Sequence, residues 1–293
     1  WDQGQVRFLA DAGEGLAKGK LLFELHGYKL RGEWTLVKTR QDPKSWLLMK
    51  HRDAFADLGG RHPPGEESVL SGRALEDLRE GRSPAADLEG EAARLGAPAR
   101  PVDPRSAGLM LAESRDRPFS AEGWLFELKY DGFRLLASRD GGAAALRYRS
   151  GADATALYPE VVKALRALPC QRAVLDGEVV VLDASGKPSF QALQKRAMLS
   201  RQAEVERAAV ERPATFFAFD LLALGDLDLR PLPLARRKAL LQPLLPRAGP
   251  LRYADHVEGR GEDLFREARA RGLEGIVAKR ADAPYRAGRS ASW

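Results

Sequence analysis

From residue 107 onward the chain mixes strand-like and helix-like segments without a regular strand–helix–strand period. Three apolar-rich segments follow one another, WLFELKY, FRLLASR and AALRYRS, and an Asp-Gly turn joins the first two. Successive strands joined by tight turns pair antiparallel, whereas a doubly wound parallel sheet needs a crossover helix after each strand. The pattern therefore predicts an α+β domain with mostly antiparallel sheets.

The later segments extend this prediction. YPEVVKALRAL places Pro159 at a helix start and its Val and Leu side chains on one face. SFQALQKRAML, LPLARRKALLQPLL and GEDLFREARARG predict three more helices, and Gly272 ends the last of them. RAVLDGEVVVLD predicts a strand that contains a tight bend, ATFFAFDLLAL predicts a buried strand, and LEGIVAKR predicts a further strand.

Two stretches of different composition precede this domain. Alternating apolar runs in residues 1–55 predict a hairpin and a short third strand, which is little apolar surface for an independent core. Residues 56–105 are rich in Gly, Pro, Ala and Arg, so we predict a linker there with one short helix at ALEDLRE. The main domain then covers 106–293. Trp1 and Trp293 resemble internal positions, so we expect a fragment of a longer protein.

Composition narrows the functional classes. The net charge of +6 and the pI near 9.5 favour a polyanionic partner, although mild basicity is also common on solvated surfaces. No apolar run approaches the ~20 residues of a membrane helix, and no secretory leader is visible. Cys170 is the single cysteine, which excludes an internal disulfide and a multi-cysteine zinc site. We therefore expect a cytoplasmic protein without a membrane partner.

The segment FELKYDGFR carries charges inside an apolar strand. If residues 125–131 are extended, Glu127, Lys129 and Asp131 face one side, where burial is costly. Desolvation and neighbouring cations help a lysine to lose its proton, and a neutral amine is a nucleophile toward phosphorus. The alternative is a half-exposed hairpin whose charged face is solvated.

ELKYDG resembles the KxDG signature of the covalent nucleotidyltransferases, which comprise DNA ligases, RNA ligases and mRNA capping enzymes. Four further segments resemble the same superfamily's motifs in order: YRSG at 148–151, LDGE at 175–178, FFAFD at 216–220 and EGIVAKR at 274–280. Each alone could be a surface charge, a turn or core. The flanking sequence closely resembles the ligase domain of the bacterial DNA ligase D family, whose fold is ATP-grasp-like. Residues 1–55 resemble the end of that family's 3′-phosphoesterase domain, and SVLSGRALEDL resembles its linker.

The resemblance implies a role for each matched residue. Lys129 is the implied site of adenylation, Asp131 orients it, and Glu274 and Glu178 hold a divalent metal, Mg²⁺ or Mn²⁺. The implied ATP- or AMP-binding residues are Glu127 and Phe219 around the adenine, Glu178 at the sugar, and Arg134, Arg149 and Lys279 at the phosphates. Strict alternation puts Glu274 and Lys279 on opposite faces, so we expect a bulge or bend if both contact one ligand.

The implied activity is that of an ATP-dependent DNA ligase. Such an enzyme adenylates its own lysine, passes AMP to a 5′-phosphate at a nick or break in double-stranded DNA, and seals the strand. The family suggests a role in non-homologous end joining, DNA repair and recombination at the nucleoid, with Ku as a partner. An RNA ligase or capping-type enzyme, or a catalytically incomplete DNA-binding fragment, are the alternatives.

This sequence departs from the family pattern in two respects. The family continues beyond Trp293 into a fifth motif with two lysines and an OB-fold domain, so we expect the chain to bind nucleotide but to adenylate itself slowly. The phosphoesterase histidine motifs are not matched, because the histidines are scattered singly: His26, His51, His62 and His256. We therefore expect no phosphoesterase activity from residues 1–55.

Overall fold

The computed structural model describes residues 1–42, 44–56 and 65–293, so His62 lies outside the described residues. The chain divides into two compact units, Trp1–Val69 and Leu70–Trp293. No helix among the described residues is long and apolar enough to cross a membrane.

The first unit is a small antiparallel sheet in the order β1-β2-β3-β4. Its elements are β1 Gly4–Phe8, α1 Ala12–Lys18, β2 Lys20–Gly27, β3 Arg31–Lys38 and β4 Trp46–Lys50. The predicted hairpin is β2 with β3, and the predicted third strand is β4, whereas β1 and α1 were not predicted. The Asp11 side chain accepts a hydrogen bond from the backbone N–H of Glu14 and so caps α1.

The second unit is an α+β domain, as predicted. Its elements are α2 Leu75–Arg79, α3 Pro84–Arg94, β5 Met110–Ala112, β6 Trp124–Lys129, β7 Phe133–Asp140, β8 Ala143–Tyr148, α4 Pro159–Ala167, β9 Arg172–Val181, α5 Phe190–Ala197, α6 Gln202–Glu211, β10 Ala214–Leu224, β11 Leu227–Asp228, α7 Leu234–Leu244, β12 Leu251–Tyr253, β13 His256–Glu258, α8 Gly261–Ala270, β14 Gly275–Arg280 and β15 Gly288–Ser290. Helix α6 was not predicted.

Three sheets organise this unit. The largest has the order β11-β10-β9-β7-β8, with β12 parallel to β10; a second has the order β13-β6-β14; and β5 pairs with β15 in parallel. The remaining pairings are antiparallel. The main core lies against the largest sheet and includes Leu135, Tyr158, Leu165, Phe216 and Leu241.

The linker prediction for 56–105 needs correction over residues 70–105, which belong to the second unit. Helix α3 buries Ala85 and Ala92 in the main core. These alanines are seven residues apart and so lie on one helical face. An apolar face made of alanine is narrow, and it is hidden in a segment whose overall composition resembles a linker.

Strand β10 is irregular where it approaches the second sheet. Its pairing with β9 shifts between Ala218 and Asp220 and again between Leu221 and Ala223. Phe219 is the extra residue at the first shift, because Ala218 pairs with Gly177 and Asp220 pairs with Asp176. Such a bulge bends the strand and redirects a side chain.

Candidate active site

Lys129 and Glu274 meet where β6 ends and β14 begins. Lys129 is the last residue of β6 and pairs with Gly275, the first residue of β14. The Nζ atom of Lys129 forms an ion pair with Oε1 of Glu274. Glu274 precedes β14, so strand alternation does not fix its direction, and the expected bend lies at Gly275 with a φ of 154°. The fold thus brings together two residues from distant motifs.

The surroundings of Lys129 differ from the predicted ones. Its side chain is 50% exposed, and its charged neighbour is a carboxylate rather than a cation. The predicted desolvation of Lys129 is therefore wrong for this structure. The reason is local, because β6 stops at Lys129 and leaves the amine at the opening of the site rather than inside the sheet.

Glu127, two residues earlier on the same face of β6, is the deeply buried member of the motif. Its side chain is 3% exposed, and each carboxylate oxygen accepts a hydrogen bond from a different lysine. Lys238 Nζ lies 2.7 Å from Oε1, and Lys279 Nζ lies 2.6 Å from Oε2. Burial opposes ionisation of Glu127, but the two lysines outweigh it and hold its pKa below the usual value. Burial also lowers the pKa of Lys279, against the opposing effect of Glu127.

Phe219 projects toward the same cluster. The Lys279 ammonium lies 4.0 Å from the Phe219 ring centre and 4.2 Å from that of Trp293. The two rings are 6.0 Å apart and nearly perpendicular. Lys279 is thus held by a carboxylate and two aromatic rings. Stacking of adenine on Phe219 stays a prediction, and it requires Lys279 to shift along the ring.

Arg134 is held rigidly at the edge of this cluster. Its Nε and NH2 atoms donate to Asp176 Oδ1 and Oδ2 at 3.0 and 2.6 Å. Tyr285 donates its hydroxyl to Asp176 Oδ2 at 2.6 Å and accepts from the Met110 N–H at 3.1 Å. Burial alone lowers the pKa of Arg134, but Asp176 reverses this and raises it. Paired in this way, Arg134 is a fixed cation 5.3 Å from the Phe219 ring centre.

Glu178 lies beside Arg134, since the two residues are paired across β7 and β9. Burial raises the pKa of Glu178 to about 8, while Arg134 and Lys129 act in the opposite direction. Asp176 and Asp131 reinforce the upward shift. A carboxyl group in this state is neutral near pH 7 until a cation approaches it.

We expect Glu178 to make stability fall as pH rises. Its pKa moves from 4.5 to about 8 on folding, so the folded state binds one more proton between these values. The free energy of unfolding then decreases from about pH 5 to pH 8. In Glu178→Gln we expect this pH dependence to be absent. The free energy of unfolding of the variant should therefore rise by about 2 kcal/mol relative to that of wild type as the pH goes from 5 to 8. Urea unfolding of wild type and variant at several pH values measures this pH dependence.

The exposed Glu211→Gln, at the end of α6, is the matched control for this measurement. It removes the same charge without removing a buried carboxyl group. Parallel pH profiles for wild type and Glu178→Gln would contradict the expected titration.

Arg149 lies outside this cluster, and Asp131 acts on it only through its charge near Glu178. Asp131 is exposed in the bend after β6, and the hydrogen bonds of the described residues do not link it to Lys129. The prediction that residues 125–131 form one strand face therefore holds only to Lys129. Arg149 is exposed just after β8 and lines a separate groove of about 580 Å³ with Arg105 and Arg147.

A cavity of about 470 Å³ lies beside the Lys129–Glu274 pair. It is lined by residues 112–119 after β5, by strand residues that include Trp124, Phe126 and Ile276, and by Trp293. Its size suits a small ligand. Glu127, Phe219 and Lys279 do not line it, whereas Trp293, which contacts both the Phe219 ring and the Lys279 ammonium, does.

The resemblance assigns two carboxylates, Glu274 and Glu178, to a metal ion. Within 1–42, 44–56 and 65–293, no group of three His, Cys, Asp or Glu side chains is arranged to hold an ion. Glu274 and Glu178 could each give an oxygen ligand, and Mg²⁺ commonly takes one or two carboxylates together with substrate phosphates. The donor set fits a cation that arrives with a nucleotide.

Four contacting residues were absent from the predicted site: Asp176, Lys238, Tyr285 and Trp293. Asp176 lies two positions before Glu178 on the same strand, so alternation could have identified it. Lys238 lies 111 residues from Glu127 in sequence, and Tyr285 lies 109 residues from Asp176. Both are parts of apolar or charged segments that carry no local signal of a site.

Comparison with known proteins gives a consistent result. A family model described as ATP dependent DNA ligase domain matches residues 109–293. The Multifunctional non-homologous end joining protein LigD of Pseudomonas aeruginosa is 37% identical over 303 residues, covering 100% of this chain and 34% of that protein. A Probable DNA ligase of Anaeromyxobacter dehalogenans is 41% identical over 243 residues, covering 81% of this chain and 44% of that protein.

A solved structure shares the fold as well. The mycobacterial DNA ligase D complexed with ATP and MES is 38% identical, with a TM-score of 0.55, and the match covers 66% of this chain and 60% of that one. The chain thus spans between about a third and less than half of the two curated relatives.

Proposed function

The chain belongs to the family of ATP-dependent DNA ligase domains, and on that premise we propose that Lys129 is the residue that carries AMP. The supporting observation is the Lys129–Glu274 ion pair, which joins two sequence motifs at an exposed opening. An amine fixed by a carboxylate in a polar opening can meet a phosphate without rearrangement of the fold.

We propose the following first step. The Lys129 amine, after losing a proton to solvent, attacks the α-phosphorus of ATP. A nitrogen–phosphorus bond forms, the bond from the α-phosphorus to the bridging oxygen breaks, and pyrophosphate leaves. Arg134 and Lys279 offset phosphate charge, and Mg²⁺ or Mn²⁺ held by Glu274 and Glu178 would neutralise the triphosphate. Glu127 and Phe219 bind the adenine in this proposal.

Two further transfers complete the proposed activity. AMP passes from Lys129 to a 5′-phosphate in broken or nicked double-stranded DNA, and the 3′-hydroxyl then displaces AMP and seals the strand. The positive net charge favours this polyanionic substrate. Relatives named as non-homologous end joining proteins support a role in double-strand-break repair. Action at the nucleoid and Ku as a partner are parts of this proposal that rest on the sequence resemblance alone.

A substrate comparison tests this proposal. We expect label from α-³²P-ATP to enter the protein in the presence of Mg²⁺ or Mn²⁺, and then to move to the 5′ end of nicked DNA. Sealing should fall as salt rises, because phosphate contacts release counterions. A longer form of the protein is assayed in parallel, since the sequence resemblance predicts a fifth motif beyond Trp293.

The alternatives give different outcomes in the same assay. Preference for RNA ends, or labelling by GTP, would favour an RNA ligase or capping-type enzyme. DNA binding without any covalent label in the longer form would favour a non-catalytic fragment. Either result would overturn the proposal.

A further inference from the structure

The buried cluster of Lys238, Glu127 and Lys279 contains more positive than negative charge. Two ammonium groups share one carboxylate, and all three side chains are at most 3% exposed. They come from α7, β6 and β14, so the cluster joins a helix that packs on the largest sheet to the second sheet. An unpaired charge at this depth is strongly destabilising.

The two lysines are held differently. Lys238 also donates to the backbone oxygens of Ala254 at 3.2 Å and Phe219 at 3.4 Å, and it lies 4.5 Å from the Tyr253 ring centre. Lys279 has the Glu127 carboxylate and two ring faces. Ring faces allow an ammonium to slide, whereas two carbonyl oxygens fix its position. Lys238 is therefore the fixed partner of Glu127, and Lys279 is the movable one.

This difference matters if Lys279 contacts the nucleotide phosphates. To do so it must leave Oε2 of Glu127, and Lys238 is then the cation that remains on the carboxylate. Without any cation the buried Glu127 would take up a proton. An ionised carboxylate only accepts hydrogen bonds, whereas a protonated one can also donate.

We propose that Lys238 is a positioning residue that keeps Glu127 an ionised, acceptor-only group and thereby makes the site selective for the 6-amino group of adenine. The inference rests on the proposed function, because it takes Glu127 as the group that meets the base. A 6-amino group donates to the carboxylate, while the 6-oxo group of hypoxanthine or guanine presents a second acceptor and is repelled. Lys238 itself touches neither the base nor the phosphates in this arrangement.

The test compares ATP with inosine triphosphate in single-turnover labelling of the protein. We expect wild type to prefer ATP by about 100-fold. Lys238→Met should reduce that ratio by about tenfold or more, because Glu127 can then take a proton and donate to the 6-oxo group. Lys238→Arg keeps the cation and should stay within about threefold of the wild-type ratio. The exposed Arg236→Met on the same helix controls for changes to α7.

The ratio of the labelling rates with ATP and with inosine triphosphate distinguishes a positioning role from a general loss of activity, because a purely structural defect lowers both rates together. If Lys238→Met is poorly folded, Glu127→Gln provides the second test, since its amide can both donate and accept and should also narrow the ratio. Wild-type selectivity in both Lys238→Met and Glu127→Gln would overturn the inference and leave the ligase proposal standing. Absence of label from either nucleotide in wild type, in the longer form of the protein as well, would overturn the ligase proposal and this inference with it.

Discussion

Replacing Lys129 with alanine is expected to abolish covalent attachment of AMP. Lys129 is the lysine in the KxDG setting and the amine that the proposal places at the α-phosphorus, so the rate should fall by at least about 10⁴-fold, as when a catalytic nucleophile is removed elsewhere. The fold should survive, because Lys129 and Glu274 are both substantially exposed and such pairs contribute little to stability. Acid-labile label from α-³²P-ATP, followed on a denaturing gel, measures the effect.

Two variants make this result specific. Lys129→Arg keeps a cation opposite Glu274 but supplies a guanidinium that does not become a neutral nucleophile, so it should be as inactive as the alanine variant. Lys163→Ala removes an exposed lysine from α4 and should label normally. Acid-labile label that persists on the Lys129→Ala protein would place the adenylation site elsewhere.

Replacing Arg237 with methionine is expected to cost about 3–5 kcal/mol of unfolding free energy. Arg237 and Asp220 are both fully buried and form a bidentate pair, with Nε–Oδ1 at 2.6 Å and NH2–Oδ2 at 2.9 Å. The NH1 atom also donates to the backbone oxygens of Leu232 and of Ala283, the latter at 3.1 Å. The variant therefore removes the guanidinium from a buried carboxylate and from two carbonyl oxygens, and among the described residues it leaves Asp220 with only the Leu221 N–H and Ala283 with only the Leu234 N–H as donors. Urea unfolding of the second unit measures the loss.

A double variant identifies the cause of that loss. Arg237→Met combined with Asp220→Leu removes both charges, and we expect it to recover about half of the lost stability because no unpaired carboxylate is left. Arg236→Met, on the exposed side of the same helix, should change stability by less than about 0.5 kcal/mol. If the single and double variants were equally unstable, lost packing rather than an unpaired charge would be the reason.

Local patterns predicted the elements that carry the site. Strands β6 and β7 follow from apolar runs around an Asp-Gly turn, and α4 follows from its proline and apolar face. The predicted antiparallel pairing of β6 with β7 is wrong, because β6 pairs with β13 and β14 in the second sheet, whereas β7 pairs with β8 and β9 in the largest one. The resemblance assigned Lys129 and Glu274 to one nucleotide site, but it did not predict the ion pair between them. These features depend on residues that are close together in the sequence or on the ordered motifs of the family.

Other features depend on how distant segments pack. The half-exposed state of Lys129 depends on where β6 ends, and the two-lysine arrangement around Glu127 depends on α7 lying over β10. Arg149 ends in a separate groove because β8 stops before it. Single-sequence patterns do not contain these distances, so such details required the folded structure.

The bulge at Phe219 has a consequence for how this strand can vary during evolution. Because Ala218 lies opposite Gly177 and Asp220 opposite Asp176, the strand absorbs the extra residue without changing the faces of the side chains that follow. A deletion of Phe219 alone would therefore leave Asp220 beside Arg237 and Leu221 in the core, and the second shift between Leu221 and Ala223 would remain. The deletion would remove the ring that contacts Lys279. A change in the length of this strand is thus expected to affect the site rather than the core.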